Sequence, residues 1–168
     1  MTPEFSRPYD VRHLPDRVLT VAANPTECAA LAERFGVIAL DKLAAEARLT
    51  RDGEVVRAEG RFEAEVVQAC AVSGEPVKTR LAEPFALRFV RSEPAHGADE
   101  EIELAADDLD EVFYEGNQVD LGEAVAQSLS LAIDPYATGP EADAVRREAG
   151  LSDAAANGAF AALAALKK

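Results

Sequence analysis

Residues 56–66 alternate without a break between small or apolar side chains and charged ones. The first set is Val56, Ala58, Gly60, Phe62, Ala64 and Val66, and the second is Arg57, Glu59, Arg61, Glu63 and Glu65. Successive side chains of a β-strand point to opposite faces, so this pattern predicts a strand with one face on a core and the other in water. One-sided burial of this kind is typical of antiparallel sheets.

Turn signals on both sides of this strand extend it into a meander. Residues 37–49 also alternate, and Asp52-Gly53 is a tight turn signal before the strand. After the strand, residues 73–76 (Ser-Gly-Glu-Pro) turn the chain again. A third strand begins at Val77 and continues or restarts after a proline over residues 85–89. Three or four adjacent strands joined by short turns are therefore predicted.

Two helices have clear starts and ends. Asn24 is a good cap for a helix that ends at Gly36, and Asp120 is a good cap for one that ends before Asp134-Pro135. A glutamate three residues after each cap matches the spacing of a capping box. The second segment also has an apolar stripe at helical spacing.

The remaining segments carry weaker signals. Residues 5–21 predict an irregular edge strand or two short strands, and residues 112–114 predict one late strand. Residues 92–108 have little periodicity and are interpreted as an excursion, whereas residues 137–157 fit a linker or a frayed helix. The last apolar positions, over residues 160–166, predict a short amphipathic helix.

Together these signals predict an α+β fold. We expect an antiparallel meander sheet, either open or a partial barrel, with two main helices packed on it and a short C-terminal helix. Residues 1–136 are expected to form a single domain, and residues 137–168 a linker with that short helix. Strand order and oligomeric state are left open by these patterns.

The excess negative charge belongs to one continuous segment of the chain. The net charge is −14 at pH 7, and residues 92–145 contain 15 acidic residues and no Lys or Arg. Residues 1–91, in contrast, contain 14 acidic and 13 basic residues. An acidic segment repels phosphate backbones and attracts basic partners through the same Coulomb term. A solvated loop that keeps the protein in solution is the alternative interpretation.

Several functional classes have little support in the sequence. The chain begins without the basic and apolar regions of a secretory signal, and no stretch approaches the roughly 20 apolar residues that span a bilayer. The two cysteines, Cys28 and Cys70, do not form a disulfide framework, which fits a reducing compartment. We therefore expect a cytoplasmic protein.

Catalytic signatures are also missing from the sequence. The common nucleotide-binding and hydrolase motifs are absent, and neither His13 nor His96 has neighbours at metal-ligand spacing. Cys28 fits a small core residue on the first helix, although a nucleophilic pair with a histidine needs only contact in space. The alternative is a site for a hard cation, in which clustered carboxylates bind Mg²⁺ or Ca²⁺ through their oxygens. We predict no cofactor, no metal and no catalysis.

From about residue 55 onward, the order of the motifs resembles the YceD family, the large ribosomal RNA subunit accumulation proteins of bacteria and plastids. The similar segments are residues 67–77 around Cys70, residues 114–121 (Tyr-Glu-Gly-Asn-Gln-Val-Asp-Leu), the proline turn at 133–136 and the end at 157–168. Ser73 stands where the family typically has the second cysteine of a Cys-x-x-Cys. A hydroxyl is a much poorer ligand for soft metals than a thiolate, so Cys70 alone does not close a metal site.

A second departure lies on the helix that begins at Asp120. Ala126, Gln127 and Ser128 stand at positions where many relatives carry acidic residues. The resemblance implies a role in the processing or accumulation of large-subunit ribosomal RNA. It implies no known reaction.

The charge distribution suggests how such a role is carried out, namely by binding a basic ribosomal protein or an assembly intermediate. The predicted partner-binding residues are Asp107, Asp108, Asp110, Glu111, Tyr114 and Asp120. Contact with RNA is expected only at basic residues outside the acidic segment, which are Arg57, Arg61, Lys78, Arg80 and Arg88. These basic residues alternate with core positions, so a solvated outer sheet face explains them equally well. A metal-dependent RNA-processing enzyme and an interaction domain unrelated to ribosomes are the alternative functions.

Overall fold

The computed structural model describes residues 3–92 and 110–150, which form an α+β fold. The elements in chain order are β1 (Pro8–Asp10), β2 (Leu19–Ala22), α1 (Pro25–Phe35), β3 (Ala39–Asp52), β4 (Val55–Ala69), β5 (Pro76–Arg91), β6 (Asp110–Tyr114), β7 (Gln118–Asp120), α2 (Leu121–Ala132) and α3 (Ala142–Glu148). The excursion expected at 92–108, apart from Ser92, and the helix expected at 160–166 lie outside the described residues.

The main sheet has five strands in the order β2-β3-β4-β5-β6 and is open. The predicted meander is confirmed, because β3, β4 and β5 follow one another as antiparallel neighbours. The antiparallel prediction holds for β2, β3, β4 and β5 but not for β6, which pairs parallel to β5, with Leu87 opposite Asp110. A parallel pair needs a connection of about a dozen residues or more, and the connection over residues 92–109 is long enough for one.

Two smaller features also differ from the sequence pattern. β5 runs through Pro84 as one strand, so the break considered there does not occur. Residues 118–120, which the sequence places between a turn and a helix cap, form β7 and pair antiparallel with β1 in a separate two-stranded sheet. A strand of three residues is too short to give a periodic signal, and the cap signal at Asp120 hides it.

Both main helices cover the same face of the main sheet. α1 packs against β3, and α2 packs against β4 and β5. The core contains the inward positions of these strands together with apolar residues of the two helices, with Leu31, Phe62 and Leu129 among the most deeply buried. The charged positions of β3 and β4 lie on the opposite face, which is exposed among the described residues. The fold is therefore a two-layer arrangement with one bare sheet face.

The N-terminal segment holds the starts of the two helices together. The backbone N–H of Arg7 donates to the Asp120 carboxylate at 2.7 Å, and the backbone N–H of Leu121 donates to the Arg7 carbonyl at 3.1 Å. The Arg7 guanidinium donates to both carboxylate oxygens of Glu27 at 2.8 and 2.9 Å. Since Glu27 is in the first turn of α1 and Asp120 caps α2, both helices start at the same end of the sheet.

Residues beyond 136 also contact the sheet. The Ala71 N–H donates to the Ala137 carbonyl at 2.9 Å, and Ala142 at the start of α3 is 3% exposed. α3 lies within the stretch for which the sequence left a linker and a frayed helix as alternatives.

Close approach of β3 and β4 explains the glycine in the middle of the alternating strand. Gly60 lies opposite Ala47 and Phe85 on the neighbouring strands. A Cβ atom at Gly60 would lie 2.2 Å from the backbone carbonyl oxygen of Glu46. A backbone atom in a paired strand cannot move aside as a flexible side chain does, so only glycine fits this position.

We predict that Gly60→Ala lowers the free energy of unfolding by about 1–3 kcal/mol, because the added methyl group forces β3 and β4 apart. Urea unfolding followed by circular dichroism measures the change. Glu59→Ala, on the exposed face of the same strand, is the control and should stay within about 0.5 kcal/mol of the wild type. A Gly60→Ala variant as stable as this control would show that the strands separate at no cost.

Candidate partner-binding surfaces

The predicted acidic residues are divided between the exposed edge of the sheet and the interior. Asp107 and Asp108 lie outside the described residues. Asp110 and Glu111 are exposed on β6, which is the last strand of the main sheet. Phe113 on the same strand is 68% exposed, so carboxylates and an aromatic ring are presented together at this edge.

Tyr114 and Asp120 are engaged within the fold. Tyr114 is 7% exposed, and its hydroxyl donates to the Glu54 carbonyl at 2.8 Å. The Asp120 carboxylate accepts hydrogen bonds from the Ser6 hydroxyl, the Arg7 N–H and the Glu123 N–H. Both side chains therefore stabilise the fold as placed, and their role in partner binding stays a prediction.

We predict that Asp120→Ala lowers the free energy of unfolding by about 2–3 kcal/mol, since it removes a helix cap and two further hydrogen bonds to the N-terminal segment. Chemical unfolding monitored by circular dichroism is the measurement. Asp110→Ala removes the same charge from an exposed position and should change stability by less than about 0.5 kcal/mol. Equal stabilities of the two variants would mean that the contacts to the N-terminal segment contribute nothing.

The five basic residues predicted for RNA contact all lie on the exposed face of the main sheet. They are Arg57, Arg61, Lys78, Arg80 and Arg88. The structure thus brings them onto one surface, but acidic side chains are interleaved with them. Glu59, Glu63 and Glu65 alternate with Arg57 and Arg61 along β4.

Ion pairs join most of these basic residues to neighbouring carboxylates. Arg57 Nη2 lies 3.9 Å from Asp52 Oδ2, and Arg88 Nη1 lies 3.3 Å from Glu111 Oε1 on the adjacent strand. A phosphate group at this face would have to compete with the carboxylates that already neutralise the cations.

A tighter cluster of ion pairs lies on the same face around Lys78 and Glu65. Lys78 Nζ lies 2.8 Å from both Asp41 Oδ2 and Glu65 Oε2, and Arg80 Nη2 lies 3.2 Å from Glu65 Oε1. The hydrogen bond from Lys78 lowers the pKa of Glu65, and hydrogen bonds to Asp41 and Glu65 raise the pKa of Lys78. Both shifts favour the charged forms of Glu65 and Lys78.

Cys70 lies in the turn between β4 and β5 and is 3% exposed. Its Sγ accepts hydrogen bonds from the backbone N–H groups of Gly139 at 3.3 Å and Ser73 at 3.4 Å. Hydrogen bonds from the Gly139 N–H and then from the Ser73 hydroxyl and N–H are the main causes that lower the pKa of Cys70 to about 6. Ser73, at the position of the family's second cysteine, thus donates to the remaining sulfur.

We predict that the Cys70 thiol titrates near pH 6, well below the value of about 8.5 for an unperturbed cysteine. The thiolate should therefore predominate at pH 7. Thiolate absorbance at 240 nm in a Cys28→Ser background measures this, because burial raises the pKa of Cys28 and its removal leaves one signal. A midpoint at or above the unperturbed value would contradict the hydrogen bonding described here.

A cleft of about 400 Å³ opens where both main helices and β4 end. Phe35 and Val37 line it from the end of α1, Gln68 from the end of β4, and Ser130 and Ile133 from the end of α2. The part of the wall that these residues form carries no charged side chain.

Gln68 is the one polar or charged residue that is buried among the described residues, with 8% of its surface exposed. Its Nε2 donates to the Asp134 carbonyl at 2.6 Å, which fixes the orientation of the amide. No described residue donates a hydrogen bond to its Oε1. Gln68 gave no functional signal in the sequence. It lies two positions after Val66 and continues the series of inward-facing residues on β4.

Within residues 3–92 and 110–150, no three His, Cys, Asp or Glu side chains come close enough together to hold a metal ion. No helix in the same ranges has both the length and the apolar character to cross a membrane.

Comparison with known proteins gives one match. The model of the family described as Large ribosomal RNA subunit accumulation protein YceD matches residues 58–167. No curated protein and no solved structure gives a significant match. The matched range begins in β4 and includes the Cys70 turn, β6, β7 and α2.

Proposed function

Because the chain belongs to the YceD family of large ribosomal RNA subunit accumulation proteins, we propose that it is a non-catalytic ribosome-biogenesis factor of the cytoplasm. In this proposal it supports the processing or accumulation of large-subunit ribosomal RNA by binding a basic ribosomal protein or an assembly intermediate. The acidic segment, residues 92–145, provides the binding surface.

The observation that carries the proposal is the division of charge along the chain. The stretch 92–145 contains 15 acidic residues and no Lys or Arg. Such a surplus attracts cationic proteins over a screening length of about 10 Å at 0.1 M salt and raises their association rate. Ribosomal proteins with basic extensions are partners of this chemistry.

The edge strand β6 offers a specific contact in addition to the general attraction. Asp110 and Glu111 are exposed on it, and Phe113 projects a largely exposed ring from the same strand. Carboxylates around an aromatic residue match a basic segment that carries its own apolar side chains, since aromatic residues contribute much of the binding energy at interfaces. Charge alone would not select one partner.

The charge pattern of the sheet supports a protein partner over direct RNA binding. Four of the five basic residues predicted for RNA contact, Arg57, Lys78, Arg80 and Arg88, are paired with Asp41, Asp52, Glu65 or Glu111. RNA binding depends on Lys and Arg groups that neutralise phosphates. Here that neutralisation is largely supplied by the protein itself.

We predict that reversing the charge of Asp107, Asp108, Asp110 and Glu111 to Lys abolishes most of the recovery of large-subunit ribosomal proteins in affinity purification at moderate salt. Attraction to a basic partner becomes repulsion in this variant, and the wild-type recovery should decline as the salt concentration rises. Quantitative mass spectrometry of the eluate is the measurement.

A matched control reverses Glu33, Glu46, Glu75 and Glu83, four exposed residues of the near-neutral half. This control changes the net charge by the same amount and should retain the ribosomal proteins. Unchanged recovery with the first variant would remove the acidic surface from the mechanism.

A further inference from the structure

The C-terminal ends of both main helices meet at the cleft described above. Arg7 binds Glu27 and Asp120 at the helix starts, and the opposite ends, at Phe35 and Ile133, line the cleft. Each helix carries a partial negative charge of about half an elementary charge at its C-terminal end. Because both C-terminal ends line the cleft, their partial charges make it electronegative although none of the residues that line it is charged.

The last turns of the two helices supply no unpaired cation to offset this potential. α2 has no basic residue in its last turn. Arg34, in the last turn of α1, donates to Glu123 at 2.7 and 2.9 Å and to Glu4 at 2.9 Å. The cation of Arg34 is therefore neutralised by two carboxylates.

Apolar residues lie inside the cleft and directly beside it along the chain. Phe35, Val37 and Ile133 line it, whereas Ile38 is 56% exposed and Tyr136 is 77% exposed. Exposed apolar residues grouped around a concave site are typical of protein-binding surfaces.

Gln68 adds a polar group with an unused acceptor. More than nine-tenths of this residue is buried, its amide is fixed by the bond to Asp134, and its Oε1 accepts nothing from the described residues. Oε1 is not sealed from solvent, so it is open on the cleft wall and can accept a hydrogen bond from a ligand that supplies a donor.

We propose that this cleft binds a short segment of a basic protein in which one apolar side chain is flanked by Lys or Arg. The apolar side chain enters between Phe35 and Ile133, and an N–H of the segment donates to Gln68 Oε1. The flanking cations face the ends of the two helices. The assignment of the segment to a ribosomal protein rests on the function proposed above, whereas the chemistry of the cleft does not.

The experiment uses the full chain and a fluorescent heptapeptide with one phenylalanine between two pairs of lysines. Fluorescence anisotropy measures binding, and amide chemical shifts locate it. We expect the largest shifts at Val37, Gln68 and Ile133. Two control peptides, one with glycine for phenylalanine and one with glutamates for lysines, should each bind at least about tenfold more weakly.

Ser130→Arg tests the site within the protein. Ser130 is an exposed residue of the cleft wall, so the arginine adds bulk and positive charge to the cleft without disturbing the core. A cation in the last turn of a helix is favourable, so the melting temperature should hold or rise while binding weakens at least about tenfold. Gln127→Arg adds the same charge one turn earlier, outside the cleft, and should bind the peptide like the wild type.

The outcomes separate this inference from the proposed function. Equal binding of all three peptides, or full binding by Ser130→Arg, would overturn the cleft as the site. If the wild type recovers ribosomal proteins and Ser130→Arg recovers them equally, the cleft inference fails and the proposed function stands. If the peptide binds at the cleft while no ribosomal protein is recovered, the cleft stands and the proposed function fails.

Discussion

The hydrogen bonds of Arg7 and Asp120 determine how the helical layer is placed on the sheet. Asp120 caps α2 and accepts the Arg7 N–H, while the guanidinium of Arg7 binds Glu27 in the first turn of α1. Glu27 also accepts from the Asn24 N–H, so the same carboxylate completes the capping box of α1. A segment only a few residues long thereby joins the two helix starts, and residues from the C-terminal ends of the same helices line the cleft.

Charge is organised differently on the two sides of the molecule. On the bare sheet face, cations and carboxylates alternate along and across the strands, so the face is hydrated and nearly neutral as a whole. Such pairs contribute little stability, about 0–1 kcal/mol each, but they keep a long sheet face from presenting one sign of charge. The acidic surplus lies in the chain from residue 92 to residue 145, which includes β6 and the helix α2. Among the described residues of this segment, Asp110 and Glu111 are exposed on β6, so the edge strand is where the proposed attraction for a basic partner is placed.

The sequence predicted what local patterns determine and missed what depends on distant contacts. The alternation over residues 56–66, the turn at Gly53 and the caps at Asn24 and Asp120 are properties of neighbouring residues, and the structure agrees with them. The parallel pairing of β6 depends on a long connection, and strand direction is not encoded in the three apolar residues that signalled the strand. Gln68 was missed because its hydrogen bond joins the ends of β4 and α2, which are far apart in the sequence.

The motifs that carry the family resemblance largely determine the fold. In Val119-Asp120-Leu121, the two apolar side chains are fully buried and the aspartate caps α2 and holds the N-terminal segment. At the Cys70 turn, the backbone N–H groups of Ser73 and Gly139 donate hydrogen bonds to the Cys70 sulfur and lower its pKa. The bond from the Gly139 N–H to the Cys70 sulfur connects this turn to the segment that follows α2. Pro135, in the same segment, lines the cleft. Residues that look like a site in the sequence thus contribute to the fold, and the surface beside them is the one proposed to bind a partner.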